Sequence, residues 1–190
     1  MYVDLAPLMV SFTVILLAEL GDKTQICTMI LASKSSVASV FLGAMFAFFL
    51  VDGLSAFLGG SILSILPRLV IGIVAGLTFI VFGLISLRSS NSSTCEFDDV
   101  RVSFLKTFTI ISLMELGDKT QLSSILLAAS FNNPTLVLMG VMLAFSIITC
   151  LSVIVGSKIL RSIPMRYLKI ISSITFIILG LIIFLQTLLY

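Results

Sequence analysis

Long apolar runs, separated by short polar or proline-containing breaks, dominate the pattern of this chain. The runs lie near residues 6–32, 37–60, 68–87, 103–130, 135–157 and 166–189. Each run is long enough for a transmembrane helix, which needs roughly 20 mostly apolar residues. The pattern therefore predicts an all-α integral membrane protein with six transmembrane helices.

Composition supports a membrane setting and leaves little room for anything else. Hydrophobic residues make up 59% of the chain and charged residues 11%, and the mean hydropathy is +1.26. Six helices account for nearly all of the 190 residues, so no sizeable soluble domain is expected. The lipid bilayer is the expected surrounding, and no nucleic-acid partner is expected.

The chain contains an internal repeat. The heptapeptide Glu-Leu-Gly-Asp-Lys-Thr-Gln occurs at 19–25 and again at 115–121. After a one-residue shift the similarity continues, with Gly43, Ala47 and Gly59 matching Gly140, Ala144 and Gly156. We therefore predict a three-helix repeat over residues 1–88, a polar linker over 89–102 and a second three-helix repeat over 103–190.

An odd number of spans per repeat makes the second copy enter the membrane from the opposite side, as in the inverted repeats of many secondary transporters. Positive charges predict the orientation, because they favour cytoplasmic loops. Arg68 lies on one side, whereas the loops after the first, third and fifth helices carry Lys34, Arg88, Arg101, Lys106, Lys158, Arg161, Arg166 and Lys169. This distribution predicts a cytoplasmic linker and extracytoplasmic termini.

The repeated heptapeptide places four carboxylates within apolar runs. A charged side chain at the centre of a bilayer costs about 2.5–3.5 kcal/mol on insertion scales, so such residues usually mark functional sites. On continuous helices, Glu19, Asp22 and Lys23 would share one face. Because antiparallel first and fourth helices can face each other, we expect the two motifs to meet near mid-membrane.

Carboxylates and amide oxygens are hard ligands that suit Mn²⁺, Ca²⁺ or Mg²⁺. Four carboxylates and the two motif lysines leave a net charge of −2, which one divalent cation would neutralise. Protons could compete with the metal for the same acids. The predicted metal ligands are Glu19, Asp22, Glu115 and Asp118, with Gln25 and Gln121.

The remaining motif residues have predicted supporting roles. Each lysine follows the glutamate of its own motif by four residues, a spacing that allows an intrahelical ion pair. The hydroxyl groups could supply further oxygens, and the glycines allow close helix approach or local unwinding at the ligand. These supporting residues are Lys23, Lys119, Thr24, Thr120, Gly21 and Gly117.

Asp52 lies in the second predicted span, where the second repeat has Thr149. It is a candidate proton relay or auxiliary ligand. A carboxylate near a helix end that faces a water-filled cavity would give the same sequence pattern. The sequence leaves these alternatives open.

Paired Glu-x-Gly-Asp-Lys-Thr motifs in a six-helix chain resemble a family of small cation exchangers. That family includes the Golgi manganese and calcium transporters of eukaryotes and MneA-type manganese exporters of bacteria. The resemblance implies export of Mn²⁺, or of Ca²⁺, from the cytoplasm in exchange for protons, with Glu19, Asp22, Glu115 and Asp118 binding the ion. The short chain is more similar to a bacterial plasma-membrane member than to an organellar one.

The same interpretation predicts the cofactor content, the oligomeric state and the alternative function. The metal is a substrate, and no prosthetic group is expected. One chain carries both motifs, so a monomer suffices for the site, and dimerisation stays open. The alternative function is an exporter of amino acids or small organic cations of the lysine-exporter type. An intramembrane hydrolase is disfavoured because the chain has no histidine, and we expect no enzyme activity.

Overall fold

The computed structural model describes residues 4–63, 65–88, 103–160 and 165–189, with side-chain detail for all of these except 155–160 and 165–169. The described residues form helices joined by short turns, with no strand among them. The helices are α1 (Ala6–Glu19), α2 (Lys23–Ser33), α3 (Val37–Phe48), α4 (Leu54–Leu63), α5 (Arg68–Arg88), α6 (Phe104–Glu115), α7 (Lys119–Phe131), α8 (Pro134–Leu160) and α9 (Met165–Leu189). A π-helical turn, Phe49–Gly53, joins α3 directly to α4.

Four helical segments of the described chain are long and apolar enough to cross a membrane. They are Val37–Leu63, Arg68–Arg88, Pro134–Ile154 and Ile170–Leu189. These segments correspond to four of the six predicted spans. The predicted linker at 89–102 lies outside the described residues.

The other two predicted spans, 6–32 and 103–130, are not continuous helices, and this part of the prediction was wrong. The first is divided into α1 and α2, and the second into α6 and α7. Gly21 and Gly117 lie in the breaks with φ angles of 80° and 78°. This left-handed conformation, which glycine adopts without steric penalty, ends a right-handed helix.

Equivalent residues of the two repeats make equivalent contacts. Phe48 stacks on its own counterpart Phe145, with ring centroids 3.9 Å apart. Gly43 of α3 packs against Thr107 of α6, and the corresponding Gly140 of α8 packs against Ser11 of α1. Reciprocal contacts of this kind are typical of two units related by a twofold axis. These contacts join equivalent positions of the two sequence repeats.

The contact between α5 and α9 shows how small residues support this packing. A Cβ atom added to Gly180 would lie 2.7 Å from the backbone oxygen of Gly76, and one added to Gly76 would lie 3.0 Å from that of Gly180. Small residues let helices approach this closely where larger side chains would collide. The Gly72 and Gly76 pair thus serves packing within the chain.

Candidate metal centre

Each heptapeptide motif crosses one of the two helix breaks. Glu19 is the last residue of α1 and Glu115 the last of α6. Asp22 and Asp118 precede α2 and α7 in extended conformations, with φ/ψ of −76°/166° and −77°/168°. The predicted single helical face of Glu19, Asp22 and Lys23 is therefore wrong. Instead, each motif places one carboxylate on either side of an unwound turn.

Glutamine side chains brace both breaks. Gln25 Oε1 accepts a hydrogen bond of 2.6 Å from the Gly21 amide, and Gln121 Oε1 accepts one of 2.7 Å from the Gly117 amide. An amide that leaves a helix needs such a partner when water is excluded. The two glutamines therefore stabilise the same unwound geometry in both motifs.

Three of the four predicted acids come together. Glu19, Asp22 and Asp118 each have a carboxylate oxygen within 4.8 Å of one another. Glu19 is 2% exposed, whereas each aspartate is partly buried. Because Asp118 belongs to the second motif, the cluster joins both halves of the chain.

Glu115 lies beside this cluster but has other partners. Its side chain is fully buried. Thr24 Oγ1 donates a hydrogen bond of 2.6 Å to Glu115 Oε1, and Thr120 Oγ1 donates one of 3.2 Å to Glu115 Oε2. The first of these bonds links the two motifs. The predicted supporting threonines thus orient Glu115, and each of its oxygens keeps a lone pair for a further interaction.

The lysines of the two motifs differ. Lys119 Nζ lies 3.1 Å from Asp22 Oδ1, and both side chains are 22% exposed. The expected pair of Lys119 with Glu115 in its own motif is therefore wrong, because the helix break displaces the glutamate from the i, i+4 position. Lys23 is exposed and makes no ion pair with another described residue. Lys119 thus supplies a positive charge from the second motif to the first.

Three carboxylate oxygens of the cluster are buried without a hydrogen-bond partner among the described residues. They are Glu19 Oε1, Asp22 Oδ2 and Asp118 Oδ2. Buried polar atoms without partners are unfavourable. Oxygens of this type, converging within one small region, are the ligands that a hard divalent cation prefers.

Asp52 lies in the π-helical turn and is fully buried. Side chains of α7 contact this region. Gln121 Nε2 donates a hydrogen bond of 2.8 Å to Ser55 Oγ, and Ser124 Oγ donates one of 3.4 Å to the Asp52 backbone oxygen. Sequence reasoning missed these two serines, although each follows a singled-out residue by three positions, a spacing that places them on one helical face.

Comparison with known proteins places the chain in a family. The family model "Divalent cation/proton antiporter GDT1" matches residues 7–94 and 103–189. A GDT1-like protein of Schizosaccharomyces pombe is 27% identical, over 96% of this chain and 83% of the relative. A protein of Vibrio cholerae named "Putative manganese exporter" is 26% identical, over 92% of this chain and 88% of the relative.

A plant relative, GDT1-like protein 3 of Arabidopsis thaliana, is 27% identical over 88% of this chain and 66% of its own length. No solved structure matches the chain. The family model covers both repeats and both helix breaks, so the match includes every acid of the cluster. The chain therefore belongs to the GDT1 family of divalent cation/proton antiporters.

Proposed function

We propose that this protein exports Mn²⁺ from the cytoplasm in exchange for protons. The observation that carries the proposal is the convergence of Glu19, Asp22 and Asp118, from both motifs, within 4.8 Å. The similarity to a protein named as a manganese exporter favours Mn²⁺ over Ca²⁺ as the substrate. Both ions accept flexible oxygen shells, so the acids alone do not separate them.

The hydrogen bonds support a division of roles among the motif residues. Glu19, Asp22 and Asp118 hold unpartnered oxygens and would bind the ion first. Glu115 would complete the shell by using its remaining lone pairs. Gln25 and Gln121, which the sequence suggested as ligands, brace the breaks through their oxygens and shape the site around the ion.

The charge balance of the motif residues supports exchange of a divalent cation for protons. The four acids and the two lysines of the motifs sum to −2, which one divalent cation neutralises. Without the metal, protons on the same acids reduce the charge that lipid would otherwise have to accommodate. Metal and protons therefore exclude each other from one site, and this competition couples their opposite movements.

The site fits an inverted-repeat topology with six passes through the membrane. In this arrangement α1–α2 and α6–α7 each form one interrupted span, and the other four spans are continuous. Interrupted helices at mid-membrane commonly form the ion sites of secondary transporters. The reciprocal contacts of Phe48 with Phe145, and of Gly43 and Gly140, support a twofold relation between the halves. We place the linker in the cytoplasm of a plasma-membrane protein.

Reconstituted vesicles test the proposal. Imposing a pH gradient should drive Mn²⁺ movement by the wild type, and Mn²⁺ movement should in turn carry protons. Glu19→Gln and Asp118→Asn should each abolish both fluxes, because each removes one of the clustered carboxylates. Asp4→Asn is the matched control, since Asp4 is an exposed acid that accepts a hydrogen bond from the Ala6 amide. Transport that is unchanged in Glu19→Gln would refute the proposal.

Further arms of the same assay separate the substrates. Adding Ca²⁺ in excess should reduce Mn²⁺ movement if both ions use the carboxylate cluster. Lysine should neither compete nor move, because oxygens that lie within 4.8 Å of one another suit a single ion rather than an extended amino acid. Lysine transport that survives Glu19→Gln would instead favour the organic-cation exporter.

A further inference from the structure

We propose that Asp52 forms a second cation-binding station next to the motif cluster, through which the ion passes on one side of the protein. This inference rests on the proposed function, because it concerns the route of the same divalent cation. The station is distinct from the cluster of Glu19, Asp22 and Asp118. Its ligands come from the π-helical turn and the adjoining helices α4 and α7.

The first support is the state of the Asp52 carboxylate. The residue is 0% exposed, and neither Oδ1 nor Oδ2 has a hydrogen-bond partner among the described residues. Lys119, the cationic group of the cluster, lies against Asp22. A buried carboxylate without donors is costly unless a cation or another group compensates it. No cationic side chain of the described residues forms an ion pair with Asp52.

The second support is the position of the station beside the cluster. Gln121 and Ser124, in the first turns of α7, bond to the π-helical turn and to Ser55. The same helix begins directly after Asp118. The helix that follows the cluster acid Asp118 thus contacts the turn that holds Asp52, and a cation that leaves the cluster has a further carboxylate along α7.

The third support is the local backbone. Asp52 lies in a π-helical turn, a rare geometry that occurs frequently at functional sites. Its counterpart Thr149 lies within the uninterrupted helix α8. The hydroxyl oxygens of Ser55 and Ser124 flank the turn and can add to an oxygen shell. The π-helical turn is thus a feature of the first repeat that the equivalent position of the second repeat lacks.

This asymmetry predicts what Asp52 does during transport. The motif cluster, with its three acids, retains the ion at equilibrium. Asp52 accepts the ion during its passage between the cluster and one face, so it affects the transport rate more than the affinity. Neutralising Asp52 should therefore slow Mn²⁺ transport while leaving Mn²⁺ affinity nearly unchanged. Removal of a cluster acid should reduce both.

The test compares Asp52→Asn, Asp52→Thr and Asp52→Glu with Glu19→Gln. Mn²⁺ binding to purified protein is measured by the loss of the electron paramagnetic resonance signal of free Mn²⁺. Mn²⁺ transport is measured in vesicles at saturating Mn²⁺. Asp52→Asn and Asp52→Thr should bind Mn²⁺ within about threefold of the wild type but transport it at least about tenfold more slowly. Asp52→Glu should recover part of the rate, because it restores the charge.

Each outcome supports or overturns the inference. Asparagine has nearly the shape of a protonated aspartate, so wild-type transport by Asp52→Asn would show that Asp52 is a neutral structural acid. Loss of Mn²⁺ binding in that variant, as strong as in Glu19→Gln, would make Asp52 a member of the cluster and remove the separate station. Wild-type binding and transport by Glu19→Gln would refute the proposed function instead.

Folding of the variants is checked by gel filtration and thermal unfolding. Asp52→Thr serves as the second variant, because threonine is the residue that the second half carries at this position and it is tolerated within a buried helix there. If Asp52→Asn fails to fold, slow transport with retained binding in Asp52→Thr supports the station. Wild-type transport by a folded Asp52→Thr overturns it.

Discussion

Lys119 should act as an internal competitor of the transported ion. Its ammonium group lies 3.1 Å from Asp22 Oδ1. The Coulomb attraction at this distance is about 5 kcal/mol at an effective dielectric constant of about 20. Both side chains are 22% exposed, so water screens the pair and also lowers the cost of desolvating it. The net stabilisation is then about 1–3 kcal/mol, as for other hydrogen bonds to charged groups.

A metal ion that binds the unpartnered Asp22 Oδ2 shares the carboxylate with this ammonium group, and the two positive charges weaken each other's binding. Lys119→Met removes the competitor and should tighten Mn²⁺ binding about 5- to 150-fold, which corresponds to 1–3 kcal/mol. Lys23→Met is the matched control, because Lys23 has the same place in the first motif but is exposed. Its effect on Mn²⁺ affinity should be less than about twofold, as for exposed charges. Lys119→Arg keeps the charge and should change little.

Titration of Mn²⁺ into each purified variant, followed by calorimetry, measures these affinities. Equal tightening by Lys119→Met and Lys23→Met would refute the asymmetric role of Lys119. Weaker Mn²⁺ binding by Lys119→Met would also contradict the reasoning, because it would mean that the lysine positions Asp22 for the metal.

Three further predictions concern the same site. Thr24→Val should lower the free energy of unfolding by about 1.5–3 kcal/mol, because it removes a hydrogen bond to a buried carboxylate. Thr120→Val should lower it less, since the bond of Thr120 to Glu115 is 3.2 Å long rather than 2.6 Å. Denaturant unfolding in detergent compares the two variants, and equal losses would contradict this ranking. Gly117→Ala should lower the free energy of unfolding by about 1–2 kcal/mol through the left-handed backbone alone, since an added Cβ would meet nothing within 4 Å. Thermal unfolding should show a melting temperature about 2–8 °C lower, with a smaller loss for Gly117→Asn. An unchanged melting temperature in Gly117→Ala would argue against the strained turn. Lowering the pH from about 8 to about 5.5 should weaken Mn²⁺ binding, because the metal needs deprotonated carboxylates. A dissociation constant for Mn²⁺ that stays constant over this range would argue against competition between protons and Mn²⁺ for these acids.

Most helices follow from the sequence because long apolar runs leave few alternatives. The segments Val37–Leu63 and Arg68–Arg88 begin after short polar or proline-containing breaks that the residues themselves mark. In a bilayer every backbone group must be bonded internally, so an apolar run of this length forms a helix wherever it packs. The rule also holds at Gly21 and Gly117, but there a glutamine side-chain oxygen replaces the helical carbonyl as the acceptor, so the helix can end.

The sequence by itself determined that the chain is helical, that it is repeated, and that Glu19, Asp22, Glu115 and Asp118 are the residues of interest. These conclusions rest on composition, periodicity and repetition, which are properties of the chain alone. Which acids share one cluster, and that Lys119 pairs across the motifs with Asp22, was decided only by the tertiary structure. Those contacts join residues almost a hundred positions apart, and their partners depend on how the two halves pack.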